Sequence, residues 1–129
     1  MAYCHVAHDC ILHDNIVRSN GATLAGHVEV FDYAIIGGLS AVHQFARIGH
    51  TAFVGGFSGL PMDLPPYMLA SGSRATIHGP NVVGLRRLSL PQETTAAIRA
   101  AFRLLWLSRI PRQEALAPAA DSYADIPAV

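Results

Sequence analysis

The chain has 129 residues, and its nine basic and nine acidic side chains cancel to a formal charge of zero with histidine neutral. Charged residues are only 14% of the total, which gives no support to a nucleic-acid or anionic-membrane partner gathered by bulk charge. A hydrophobic content of 51%, with mean hydropathy +0.31, predicts that surface is covered by self-association. Two cysteines make no disulfide framework, no signal peptide is apparent, and the longest apolar run falls far short of a membrane span. A cytoplasmic protein without an integral membrane segment is expected.

From Val6 onward the chain repeats every six residues. Val6, Leu12, Arg18, Leu24, Val30, Ile36, Val42, Ile48 and Val54 open successive hexads, and all but Arg18 are aliphatic. Small residues such as Ala22, Ala34, Ser40, Ala46 and Ala52 take the fifth place of the hexads. Such self-similarity is the mark of a solenoid, in which each repeat buries its apolar face only by stacking on the next. The period predicts a parallel β-helix with three hexads per coil, regular over residues 6–59. Arg18, at an aliphatic place, predicts a locally looser coil. Gly26, Gly37, Gly38, Gly49, Gly55 and Gly56 fall near the hexad corners, where they are expected to supply positive φ. Nothing before Val6 caps the first coil, so the chain reads as a fragment that starts inside a longer solenoid.

The prolines of residues 59–67 break the period and predict an excursion from the solenoid. Residues 67–80 then read as a last, irregular coil, giving a solenoid over 1–80 and a helical segment over 81–129. Leu90, Thr94, Ala97, Ile98, Ala101, Phe102 and Leu105 recur at helical spacing. Ser89 and Gln92 read as a capping box, with Pro91 suited to the first turn. Pro111 is expected to end this helix. A short second helix is expected over Arg112 to Ala117, before Pro118 and a ragged tail to Val129.

The hexad register sorts the histidines. His8, His27 and His43 fall in hexads 1, 4 and 7, so they share one face of consecutive coils, and His5 sits at the corner leading into it. Coils stack about 4.8 Å apart, which predicts a file of imidazoles able to supply one general base and several donors. The plainer alternative is that each decorates an exposed face. Asp9 is placed to orient His8 if the chain turns there, and Gly26 to offer an N–H to an oxyanion or merely to form a corner. Cys4, His5, His8 and Cys10 invite a zinc reading, but their spacing matches no recognised site and Cys10 takes an inward place, so no metal is expected. Arg74, Arg86 and Arg87 are either phosphate contacts or a solvated basic linker.

A set of motifs goes beyond the repeat. His5-Val-Ala-His8-Asp9-Cys10, Asn20-Gly-Ala-Thr-Leu-Ala-Gly26-His27-Val28, Ala34-Ile-Ile-Gly-Gly38, Ala41-Val-His43-Gln44-Phe45, Asp63-Leu-Pro-Pro-Tyr67 and Asn81-Val-Val-Gly-Leu-Arg-Arg87 occur in order. Together they resemble the UDP-N-acetylglucosamine acyltransferases that begin lipid A synthesis, over residues 3 to about 125. The resemblance implies a homotrimer of left-handed parallel β-helices with helical C-terminal parts and active sites between subunits. It implies transfer of an R-3-hydroxyacyl group from acyl carrier protein to the 3-hydroxyl of UDP-N-acetylglucosamine, with no cofactor. His8 would be the general base, Asp9 its orienting group and Gly26 the oxyanion donor. His5, Asn20, His27, His43 and Gln44 would contact substrate, and Asn81 and Arg87 its uridine and diphosphate end. Gly56 would lie where acyl-chain length is set.

The family's N-terminal coils are absent, and Leu88-Ser89-Leu90 stand where its basic cluster usually continues. Three other readings follow: an inactive fragment, a trimeric scaffold or ligand-binding remnant, and a zinc hydratase of the γ-carbonic anhydrase type.

Overall fold

The computed structural model describes residues 1–125; the last four residues of the expected tail lie outside them. The chain divides between Gly84 and Leu85 into two compact units. The first is a solenoid of ten two-residue strands in chain order: β1 (His5–Val6), β2 (Ile11–Leu12), β3 (Val17–Arg18), β4 (Thr23–Leu24), β5 (Glu29–Val30), β6 (Ile35–Ile36), β7 (Ala41–Val42), β8 (Arg47–Ile48), β9 (Phe53–Val54) and β10 (Gly59–Leu60). β1 to β7 each pair in parallel with the strand three further on, eighteen residues away, as His5 pairs Thr23. Three sheets result: β1-β4-β7-β10, β2-β5-β8 and β3-β6-β9. This is the left-handed parallel β-helix that the six-residue period and the motifs together predict.

The hexad-opening residues point inward. Leu24, Val30, Ile36, Ile48 and Val54 are completely buried, and truncating one, as in Ile36→Ala, costs about 2–5 kcal/mol. In the first coil Val6 and Leu12 are each 38% exposed, so the filled core of this unit begins one coil later. Arg18 leaves the ladder intact, since β3 keeps its register on β6 with Arg18 opposite Ile36.

The corners correct one expectation. Positive φ falls at every sixth residue, on Tyr3, Asp9, Asn15, Gly21, His27, Tyr33, Leu39, Phe45, Thr51 and Phe57, and only one of these is glycine. From Gly21 onward the conformation aims each corner N–H at the coil before it. His27 donates to the His8 carbonyl, Leu39 to Asn20, Phe45 to Gly26 and Thr51 to Asp32. A buried unpaired donor costs about 1–3 kcal/mol, comparable to the strain of a left-handed residue, so the ladder holds side chains where glycine was expected. Four of the expected corner glycines, Gly26, Gly37, Gly49 and Gly55, serve close approach instead: a Cβ on Gly37 would lie 2.5 Å from the Gly56 nitrogen.

The expected excursion is a shortcut. Gly59–Leu60 remains in its sheet, and Leu64 bridges Ile48, so the step from Leu60 to Leu64 is four residues instead of six. Pro61, Pro65 and Pro66 bring no N–H to the ladder. The Asp63 carboxylate accepts the Arg47 N–H at 2.8 Å in place of a carbonyl, and Tyr67 resumes the corner ladder by donating to His50. β11 (Met68–Ser71) then extends the third sheet in parallel, and β12 (Thr76–Pro80) folds back antiparallel to it, ending the solenoid as a hairpin rather than a full coil.

α1 (Val82–Arg87) follows, and Ser89, at φ 51, closes it by donating to the Arg86 carbonyl. Ser89 therefore ends one helix instead of capping the next. α2 (Gln92–Phe102) starts at Pro91 with no side-chain cap and buries Ala97, Ile98, Ala101 and Phe102. It widens into a π-helical stretch over Arg103–Leu107, so it is Ser108, in extended backbone, that stops the helix ahead of Pro111. α3 (Arg112–Tyr123) runs through Pro118, six residues beyond the expected end. Buried Ala115 and Ala119 hold one face on either side of the proline, in an alanine-rich stretch of high helix propensity. Among the described residues no helix is long and apolar enough to cross a membrane.

Candidate active site

Three kinds of place meet at the corner between the first two sheets. His8, Gly26 and Gln44 are eighteen residues apart and stack in one column; Asp9, His27 and Phe45 form the next, where φ is positive. His43 belongs to a third column, with Ala7 and Ala25, on the strand side of the corner. The single file of three imidazoles is thus two adjacent columns plus a neighbour.

His8 and Asp9 occupy the turn itself, which resolves the difficulty of adjacent strand residues pointing apart. His8 Nδ1 lies 2.9 Å from Asp9 Oδ2, a bond that places the ring proton on Nδ1 and leaves Nε2 as an acceptor. That bond, followed by the charge of His27, holds the Asp9 carboxyl below the usual carboxylate value. His27 Nε2 stands 3.7 Å from the same oxygen, and its ring meets His8 edge-on with centroids 5.0 Å apart. On its other side His27 stacks on Phe45 at 4.7 Å, nearly parallel. Phe45 is a site residue that the histidine count missed, although the eighteen-residue step from His27 points to it.

Gly26 is where the corner depends on glycine. A Cβ there would lie 2.7 Å from His8 Cε1 and 2.8 Å from His8 Nε2, so only a bare Cα lets the imidazole settle over it. Gly26 is buried, and among the described residues its N–H makes no hydrogen bond. The same place leaves the His8 and Gln44 amides free as well, but Gly26 sets a free N–H beside the face of a potential base.

The other expected residues are dispersed. His43 and Gln44 are exposed at the same corner, with His43 Nδ1–H donating to the Gln44 carbonyl at 3.1 Å. His5 is exposed on β1, one step before it. Asn20 and Gly56 share a different corner, twelve residues round the coil from His8 and Gln44. Asn81 is not available to a nucleotide: it is 4% exposed, its Nδ2–H donates to the Thr51 carbonyl, and its Oδ1 accepts the Gly84 N–H. It is the N-cap of α1, a role readable from an asparagine three residues before Gly84. Arg86 and Arg87 are exposed in the last turn of α1, within the second unit. The Cys4, His5, His8, Cys10 set does not assemble: the Cys4 thiol donates to the Arg18 and Ser19 carbonyls, and the Cys10 thiol to Ala25. The hydroxyl of Thr51 is buried without a partner among the described residues.

The model of the family described as Udp N-acetylglucosamine O-acyltransferase, Domain 2, matches residues 63–129. A Burkholderia orbicola protein named acyl-[acyl-carrier-protein]–UDP-N-acetylglucosamine O-acyltransferase is 47% identical over 115 residues, 89% of this chain and 44% of the relative. The chain therefore spans a little under half the length of such relatives. The Arabidopsis UDP-N-acetylglucosamine acyltransferase structure superposes with a TM-score of 0.92 at 38% identity, over 97% of this chain and 46% of the other. The Francisella novicida enzyme gives 0.93 at 32% identity, over 98% and 46%. The chain belongs to the UDP-N-acetylglucosamine O-acyltransferase family.

Proposed function

We propose that the His8 corner is an acyl-transfer site, which moves an R-3-hydroxyacyl chain from acyl carrier protein to the 3-hydroxyl of UDP-N-acetylglucosamine, the first step of lipid A synthesis. The observation that carries this reading is the His8 ring, hydrogen-bonded to Asp9 through Nδ1 and lying over buried Gly26 on its Nε2 side. His8 Nε2 takes the proton of the 3-hydroxyl as that oxygen attacks the thioester carbonyl. The Gly26 N–H donates to the tetrahedral oxyanion. Collapse expels the carrier's thiolate, which recovers the proton from the imidazolium, so no covalent enzyme intermediate or cofactor is needed. Asp9 keeps the ring in the reactive tautomer and stabilises its cationic form.

His27, His43 and Gln44 hold the sugar nucleotide near the base, and Phe45 fixes the plane of His27. His5 and Asn20 are further substrate contacts, Arg87 reaches the diphosphate, and Gly56 leaves room for a long acyl chain. One copy cannot bring the Asn20 and Gly56 corner to the His8 corner, because they are different edges of the same coil. A homotrimer that sets one copy's corner against its neighbour's unites them, in keeping with the uncharged, apolar composition. The working location is the cytoplasm, where acyl carrier protein is available.

The test is acyl transfer from hydroxyacyl carrier protein to UDP-N-acetylglucosamine by the purified chain, with sedimentation to read its assembly. Transfer by a trimer that His8→Ala suppresses supports the proposal. A folded protein that binds the sugar nucleotide without turnover points to the binding-remnant alternative.

A further inference from the structure

The acyl-transfer reading uses two nitrogens and one carboxylate of the corner for proton transfer and contact. Their arrangement has a second chemical use. His8, Asp9 and His27 each turn one ligand atom toward a common space, with all three atoms within 4.8 Å of one another. Asp9 Oδ2 is the shared vertex, 2.9 Å from His8 Nδ1 and 3.7 Å from His27 Nε2. Zinc bonds of about 2.1 Å to nitrogen and oxygen require neighbouring ligand atoms about 3.0–3.4 Å apart, in octahedral or tetrahedral geometry. The two observed separations bracket that span, so small rotations of exposed side chains close the site. Two imidazoles and one carboxylate form a donor set for divalent transition metals and not for magnesium or calcium. The remaining positions face solvent and can be filled by water.

We propose that a divalent transition metal such as Zn2+ binds His8, Asp9 and His27, and that binding switches the acyl-transfer base off. The metal displaces the hydrogen bond between His8 and Asp9 by taking Nδ1 and Oδ2 for itself. A neutral imidazole has one ring proton, so a metal on Nδ1 leaves that proton on Nε2, facing Gly26. Nε2 then cannot accept the proton of a sugar hydroxyl. His43 is not part of the set, and neither are the two thiols, which donate to backbone carbonyls. The binding stands on geometry alone, whereas the inhibition rests on His8 being the base.

The experiment is a titration of the whole, EDTA-treated chain with Co2+ near neutral pH, followed in the visible ligand-field band, with Zn2+ added to displace it. One cobalt per chain is expected. Affinity should fall at least about tenfold in Asp9→Asn and in His27→Ala, the loss typical of disturbing a metal site. His13→Ala and the Cys4→Ser, Cys10→Ser double variant should bind as the parent does. Circular dichroism on each variant keeps loss of fold apart from loss of ligand. The absence of a saturable band, or binding that survives both Asp9→Asn and His27→Ala, overturns the site, as does binding lost with the cysteines. Saturating Zn2+ should lower transfer by about 10²–10⁴-fold, reversed by EDTA, the contribution expected of a general base. Saturable binding at these ligands with transfer unchanged overturns the inhibition and counts against His8 as the base, while leaving the metal site standing.

Discussion

Two corners of the solenoid share a backbone and differ in what their side chains are free to do. At the His8 corner and at the Asp14–Asn15 corner the chain turns through the same positive-φ residue, and the next coil's N–H reaches back in the same way, His27 to His8 and Tyr33 to Asp14. At the second corner one carboxylate and one imidazole are held by their neighbours, and the Thr51 hydroxyl of the same column is buried. Asp32 Oδ1 accepts the Asp14 N–H at 2.8 Å, and the His50 ring is held edge-on between Tyr33 and Tyr67, at 5.6 and 5.5 Å. At the first, His8 Nε2 and the Gly26 N–H have no partners among the described residues, and the carboxylate beside them is shared by two imidazoles. The ladder supplies a rigid frame at both edges; chemistry is available only where the side chains do not close the frame.

That contrast is sharpest for His8→Ala, which should lower acyl transfer by about 10²–10⁴-fold while leaving the thermal midpoint near the parent's, since His8 is exposed. Gly26→Ala comes next. Its new methyl would press on His8 Cε1 and Nε2, so the ring must move, and a displacement of about 1 Å is enough to lose roughly 10²-fold in rate. Single-turnover transfer rates measure both, and full activity in Gly26→Ala would mean that His8 is not the group whose position matters.

The other corner should respond in the opposite sense. Asp32→Ala removes the acceptor of the Asp14 N–H, costing about 0.5–1.5 kcal/mol in a denaturant melt, and should leave transfer unchanged. A variant that kept its stability and lost activity would erase the distinction between the corners. The smallest effect is electrostatic. The Asp9 carboxyl is held below its ordinary 3.8 by the His8 hydrogen bond and then by His27. A depressed folded value gives stability that is present above the unfolded pKa and is lost as pH falls through the folded one. The stability difference between the parent and Asp9→Asn should therefore persist through mildly acid pH and close only below the ordinary carboxylate range. Melts across that range check it, and closure nearer neutrality would show that Asp9 is not held down.

The repeat, the coil length and the pairing of His8 with His27 were legible in the sequence because a solenoid turns sequence distance into spatial distance. Residues eighteen apart stack, and residues nineteen apart are hydrogen-bonded round the corner. Phe45 obeys the same arithmetic and was legible in principle. Gly26 was named as a possible oxyanion donor, but its need to lack a side chain was not legible, because that is set by the ring that settles on it from another coil. The positive-φ positions escaped for a related reason: from Gly21 onward their N–H groups meet acceptors on the neighbouring coil, which local preference does not reveal. Asn81 was obscured by a resemblance that offered a ligand role, where Asn81-Val-Val-Gly84 already spells a helix cap. Outside the solenoid the arithmetic ends, and Pro118 inside α3 shows a buried alanine face overriding a local stop signal.

The most direct measurement is the rate of transfer of a hydroxyacyl chain from its carrier protein to UDP-N-acetylglucosamine by the parent chain and by His8→Ala, at matched thermal stability. The account predicts turnover by the parent and a loss of about 10²–10⁴-fold in the variant, with binding of the sugar nucleotide retained. Comparable rates in the two proteins would contradict it.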